Sequence, residues 1–150
     1  GTVKCWAHNR WGKVTGSSTP EHIETPTTPA GLSGSDVATE ICASYGHSCA
    51  LMQTGSIKCW GRNRYLQLGV ANSDPEVVDG KAASEVQGLP DPAVNPATSV
   101  SCHEEHSCAM LRDNSVWCWG RSDSSGQLGV SSLPLSGDYT SAPVQVTLPP

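Results

Sequence analysis

The chain has 150 residues, a net charge of −5, 15 Gly and 11 Pro, and no Phe. That length allows one domain with a modest core, and an acidic chain with no run of Lys or Arg offers no electrostatic footprint for nucleic acid. No apolar run approaches the ~20 residues of a membrane-spanning helix, so membrane insertion is not expected; the low charge and abundant turn formers indicate an all-β fold of short strands.

Residues 1–36 begin with Gly1-Thr2-Val3-Lys4-Cys5-Trp6-Ala7. Residues 1–16 read as an outer strand and its following loop, and residues 17–36 as a long loop rich in Thr and Pro, which disfavour helix and central strand. In a secreted chain Thr19, Thr25, Thr27 and Thr28 are candidates for O-linked glycans. The plainer reading is an exposed connection.

Residues 37–96 hold the first full unit. Residues 37–43 would be an innermost strand with Ile41 facing the core. Residues 47–52 and 56–60 would be middle strands, residues 62–80 a loop, and residues 82–87 an outermost strand. Opposing Cys49 to Cys59 centres the hairpin on Thr54 and leaves Gly55 where a left-handed backbone is needed. Directly opposed cysteines of a non-hydrogen-bonded pair come close to disulfide geometry, so a Cys49–Cys59 bridge is expected.

Residues 97–150 repeat the pattern, with strands at 98–102, 106–111, 115–119 and 143–146. The Cys49 to Cys108 and Cys59 to Cys118 intervals are both 59 residues. The same register opposes Cys108 to Cys118 and places Asn114, the next-best residue for a left-handed turn, at the Gly55 position. A second bridge, Cys108–Cys118, follows. Cys5 occupies the Cys59 position without a partner strand in this sequence, and is either an intermolecular thiol or one whose partner is missing. A repeat of this length is the size of one four-stranded propeller blade. The strands make two complete blades plus an outer half-blade. Trp6, Trp60 and Trp119, each following a repeat cysteine, would pack between blades, as would Trp11.

Seven cysteines are dense for a reducing compartment, and disulfides persist in secreted and surface proteins. The expected location is therefore secreted or cell surface. Cys42 and Cys102 lie on the two inner strands, and a blade-to-blade bridge would join them if the blades stack face to face. Spacing alone leaves that pairing open. His47 and His106, with Cys42, Cys49, Cys102 and His103, form a conceivable metal set. The ten-residue cysteine spacing instead fits hairpin disulfides, and His47 and His106 would bond backbone groups at the turn. No nucleophile elbow and no phosphate-cradling glycine loop occurs, so no catalytic residue, metal or cofactor is assigned. The tryptophans would make a sugar-stacking platform only if exposed.

The His-Ser-Cys-Ala-Leu and Gly-Ser-Ile-Lys-Cys-Trp-Gly runs of residues 47–61, and Gly126-Gln127-Leu128-Gly129 closing the last copy, resemble the regulator-of-chromosome-condensation repeat. The resemblance covers nearly the whole chain and implies a β-propeller that is seven-bladed when complete. The cysteine-bearing pattern is similar to the secreted or surface branch of that family. Two and a half blades leave open flanks. The expectation is a fragment of a longer chain, or a subunit completed by other copies in a fibre-like assembly. The function expected is a non-enzymatic, extracellular structural or protein-interaction module. The alternatives are a guanine-nucleotide exchange factor-like regulator of a small GTPase, which rests on fold analogy, and a glycan-binding propeller.

Overall fold

The computed structural model describes residues 1–33, 35, 37–71, 79–123, 126–130 and 138–147. Among the described residues ten strands make three antiparallel sheets. A two-stranded half-blade holds β1 (Cys5–His8) and β2 (His22–Thr27). The first full blade holds β3 (Ala38–Ala43), β4 (His47–Met52), β5 (Ile57–Gly61) and β6 (Lys81–Glu85) in that order. The second holds β7 (Ala97–His103), β8 (His106–Leu111), β9 (Val116–Arg121) and β10 (Tyr139–Gln145). A 3-10 turn, Arg10–Gly12, follows β1. Among the described residues no helix is long and apolar enough to cross a membrane.

The middle strands show why blades come in stacks. Every residue of β4 is buried, so both of its faces are covered. One face meets the second blade in a core of Leu51, Ile57, Leu68, Val100, Leu111 and Trp119. The other meets the half-blade in a cluster of Val3, Ala50, Met52 and Trp60. The units are also tied by equivalent backbone bonds: Ala38 N–H donates to the Gly1 carbonyl and Ala97 N–H to the Gly55 carbonyl, each at 2.9 Å.

The hairpin register is the expected one. Cys49 opposes Cys59 and Leu51 opposes Ile57; Cys108 opposes Cys118. Gly55 has φ +83° and Asn114 φ +67°. A Cβ on Gly55 would lie 2.1 Å from Pro96 Cβ. Gly55→Ala therefore meets both an unfavourable left-handed backbone and overpacking, and should lower stability by about 2 kcal/mol. Asn114→Gly should shift it far less, and comparing urea midpoints of the two variants checks the turn assignment.

Two expectations need correction. The stretch 17–36 is not all loop, because β2 lies inside it and pairs with β1. Its Pro26 is tolerated because β2 has only β1 beside it, so it is an edge strand. Ile41 does not face the core but is 56% exposed. Its counterpart Val100, opposite Ala109 as Ile41 is opposite Ala50, is 4% exposed. Val100 is covered by the first blade, whereas Ile41 faces the half-blade, where among the described residues no inner strand lies over it.

Candidate interaction site between blades and at the open edge

Each junction is closed by one backbone carbonyl. Asn63 Oδ1 accepts from the Leu68 amide at 3.0 Å and holds the loop 63–68 in a compact turn. The turn presents the Gln67 carbonyl to the second blade. There it accepts from Trp119 Nε1–H at 2.9 Å and from the Ser107 hydroxyl at 3.0 Å. Ser107 has one proton, and it is used on Gln67. His47 therefore donates its Nε2–H to Ser107 Oγ, 2.8 Å away, and its Nδ1 accepts from Ser44 Oγ at 2.7 Å. Burial pushes the His47 pKa down to about 4, so the ring is neutral.

The first junction repeats this. Asn9 Oδ1 holds the Val14 and Thr15 amides, and the Lys13 carbonyl accepts from Trp60 Nε1–H at 2.9 Å and Ser48 Oγ at 3.0 Å. Nearer solvent, Trp11 lies under Arg10 and Arg62, and Tyr65 lies under Arg64 and Arg121. Glu105 pairs with Arg121 at 2.6 Å and with Arg62 at 3.7 Å, linking the two full blades. Sequence reasoning missed this latch. Its trace is that Asn9 and Asn63, Ser48 and Ser107, and Trp60 and Trp119 keep matching places in the copies. Ser107→Ala strands a buried imidazole N–H and should cost about 2 kcal/mol by thermal unfolding.

The structure joins Cys49 to Cys59, Cys108 to Cys118, and Cys42 of the first blade to Cys102 of the second. The sulfurs of Cys42, Cys49 and Cys102 lie within 4.8 Å of one another. All three are held in disulfides, so they present no thiolate to a metal. His47 bonds side-chain hydroxyls on both ring nitrogens, and the Glu104 backbone also acts on it, in addition to the backbone bonding expected at the turn. The reason is that the next blade brings Ser107 over it.

Trp60 and Trp119 are 1% and 0% exposed, but Trp6 is 59% exposed. This corrects the expectation that Trp6 packs between blades. Trp60 and Trp119 are each covered by the loop of the blade before them, and among the described residues none forms such a loop over Trp6. Cys5 is a free thiol, half-buried, and burial raises its pKa. Beside it, between β1 and the first blade, runs a groove of ≈350 Å³ lined by Cys5, Ala7, Lys13, Ala43, Ser44 and Ser48 among others. Thr19 and Thr25 are exposed, while Thr27 and Thr28 are half-buried.

Two models, both described as "Regulator of chromosome condensation (RCC1) repeat", match the chain, one at residues 38–67 and 97–127 and the other at 54–110. A mouse secretion-regulating guanine nucleotide exchange factor is 29% identical across 100% of this chain and 33% of its own length. The Arabidopsis thaliana ultraviolet-B receptor UVR8 is 28% identical over 87% of this chain and 27% of the receptor. Among solved structures, human WBSCR16 superimposes with a TM-score of 0.75 at 18% identity, covering 95% of this chain and 34% of that one. Prp20p from Saccharomyces cerevisiae, described with its binding to Gsp1p and histones, gives 0.72 at 20% identity, covering 95% and 33%. This chain thus spans 27% to 34% of the length of these relatives.

Proposed function

Because the chain belongs to the regulator of chromosome condensation repeat family, its models together spanning residues 38–127, we propose that it is a non-enzymatic protein-interaction segment of a β-propeller that works outside the cell. Its units are a half-blade at 1–36 and blades at 37–96 and 97–150. The observation that carries the extracellular part is the set of three disulfides, one of which ties blade to blade. Protein binding is supported by relatives such as Prp20p, whose described partners Gsp1p and histones are proteins. Mass spectrometry of native protein, alkylated before any reduction, tests the reading. One modified cysteine, Cys5, is the expected result, and seven modified cysteines would end it.

A second reading follows from the mouse exchange factor, which matches this chain end to end. In that reading the blades form part of a GTPase-docking surface. It predicts accelerated nucleotide release from a small GTPase, measured with a fluorescent nucleotide, and the binding-module reading predicts none.

A further inference from the structure

We propose that the junction between the two full blades is a thiol-exchange site: a small-molecule thiol of the glutathione class opens the Cys42–Cys102 bridge at Cys102, and the freed Cys42 sulfur takes Cys49 from Cys59. The blade-to-blade disulfide is thereby exchanged for one inside the first blade. The inference rests on the extracellular, disulfide-bonded reading and adds a modification site to it.

Three observations carry it. The first is a row of cysteines. Cys42 on β3 stands opposite Cys49 on β4, and Cys49 stands opposite Cys59 on β5. Directly opposed residues project from the same side of a sheet, and here that side meets the second blade. Cys49 therefore has a cysteine on either side and is bonded to one of them. Cys49 and Cys59 form the close kind of pair, with Cα atoms 4.0 Å apart. Cys49 then forms the hydrogen-bonded kind with Cys42, for which Cα atoms lie about 5.5 Å apart, a separation that disulfides also span.

The second is distance. The sulfurs of Cys42, Cys49 and Cys102 all lie within 4.8 Å of one another, so side-chain rotation brings Cys42 onto Cys49. The third is access. Cys42 and Cys102 are half-buried, whereas Cys49 and Cys59 are both 0% exposed. A thiol from solvent meets the first bridge and not the second, and chemistry reaches Cys49 through Cys42.

The repeat does not dictate this arrangement. In the second blade Ser101 takes the place of Cys42, opposite Cys108; in the first blade Ala43 takes the place of Cys102, opposite Ser48. Both blades that form the junction have all four strands.

Attack at Cys102 is the productive direction, because it leaves the thiolate on Cys42, opposite Cys49. Attack at Cys42 leaves it on Cys102, which stands opposite Ser107. In the first step the external thiol loses its proton to solvent and its sulfur attacks Cys102 Sγ. The S–S bond to Cys42 breaks, Cys42 leaves with the bonding pair, and Cys102 holds the thiol as a mixed disulfide. In the second step Cys42 attacks Cys49 Sγ. The Cys49–Cys59 bond breaks, and Cys59 leaves with the pair and takes a proton from solvent. One thiol is added, and no other oxidant or reductant is consumed.

The test uses the full chain, first mapped for its three disulfides and one thiol. Trypsin separates the row: Cys42 and Cys49 share peptide 14–58, Cys59 lies on 59–62 and Cys102 on 82–112. After incubation with glutathione, acid quenching and alkylation, exchange gives peptide 14–58 with an internal disulfide, an alkylated Cys59 and glutathione on Cys102. Cys59 should be released about tenfold faster than in a Cys42→Ala/Cys102→Ala variant at the same glutathione concentration, because the attack on buried Cys49 comes from a neighbouring sulfur. That variant is the less stable of the two, so loosening alone gives the opposite order. A second variant needs no added thiol. Cys59→Ala leaves Cys49 free, and Cys49 should take Cys42 and leave Cys102 as the thiol. The proposal is overturned if Cys42 is alkylated while 14–58 stays bonded to 59–62, or if glutathione settles on Cys42. It is also overturned if Cys59→Ala keeps Cys49 as its thiol and the Cys42–Cys102 bridge intact. Because the disulfides are mapped first, these results strike the exchange and leave the extracellular reading standing; seven thiols in the first map would end both.

Discussion

Replacing Cys42 and Cys102 together by alanine should lower the free energy of unfolding by about 4 kcal/mol, against about 3 for the Cys49 and Cys59 pair. The order is set by chain length. The first bridge closes 60 residues and the second only 10, and the restriction placed on the unfolded chain grows with the logarithm of the loop. The two bridges also act on different structure. Cys49–Cys59 locks a hairpin whose backbone ladder already fixes its register. Cys42–Cys102 joins two sheets that otherwise meet through side chains and loops. Its loss should therefore split unfolding as well as weaken it, with the second blade opening before the first. Urea titrations of the two double variants, followed by tryptophan fluorescence, separate these effects. Equal midpoints for the parent and the Cys42/Cys102 variant would show that the inter-blade bond is not part of the native state.

Much of a blade is legible from residues because its information is local. The hairpins at 47–61 and 106–121 are encoded by alternation, by cysteines symmetric about a turn, and by Gly55 or Asn114 at the turn's left-handed position. What joins blade to blade is not local. The Gln67 carbonyl is a backbone atom and leaves no mark in the sequence, yet it anchors Ser107 and Trp119. Ile41 and Trp6 mislead for the same reason. Both are apolar residues in repeat positions buried elsewhere in the chain, and both look onto the side where a neighbouring strand or loop is not in place. Strand β2 was hidden because His22–Thr27 carries a Pro, which a central strand excludes and an edge strand permits.

The latch also explains how one stacking geometry survives different residues. Position 13 is Lys and position 67 is Gln, and the bond each makes to the next blade comes from the carbonyl they share. The side chains at these places do different work: Lys13 Nζ donates to the Tyr45 carbonyl at 3.2 Å, while the buried Gln67 accepts from the Tyr65 amide at 2.9 Å, and in both loops an Asn holds the turn. Asn9 and Asn63 are both fully buried and bonded to backbone, which makes them the less replaceable members of the pair.

Acid should open the junction between the two full blades before it unfolds either sheet. His47 is neutral in the folded chain with its pKa near 4, and returns to the ordinary value of 6.5 when unfolded. Above 6.5 neither state is protonated and the residue adds no pH dependence. As pH falls below 6.5, the unfolded chain takes up a proton that the folded chain refuses, so stability declines until about pH 4 and then levels. A shift of this size corresponds to about 3 kcal/mol across that window. His106 is displaced in the same direction, first by burial and then by His103, and adds to the slope. The lowered carboxyl of Asp113 acts only below its ordinary value of 3.8, outside most of the window. His47→Gln keeps a donor for Ser107 and has no proton to gain. Between pH 7 and pH 4.5 the variant's urea midpoint should therefore fall much less than the parent's, keeping only the share that His106 contributes. If the variant's acid dependence matches the parent's, protonation of His47 is not what loosens the junction, and the remaining slope belongs to His106 and the carboxylates.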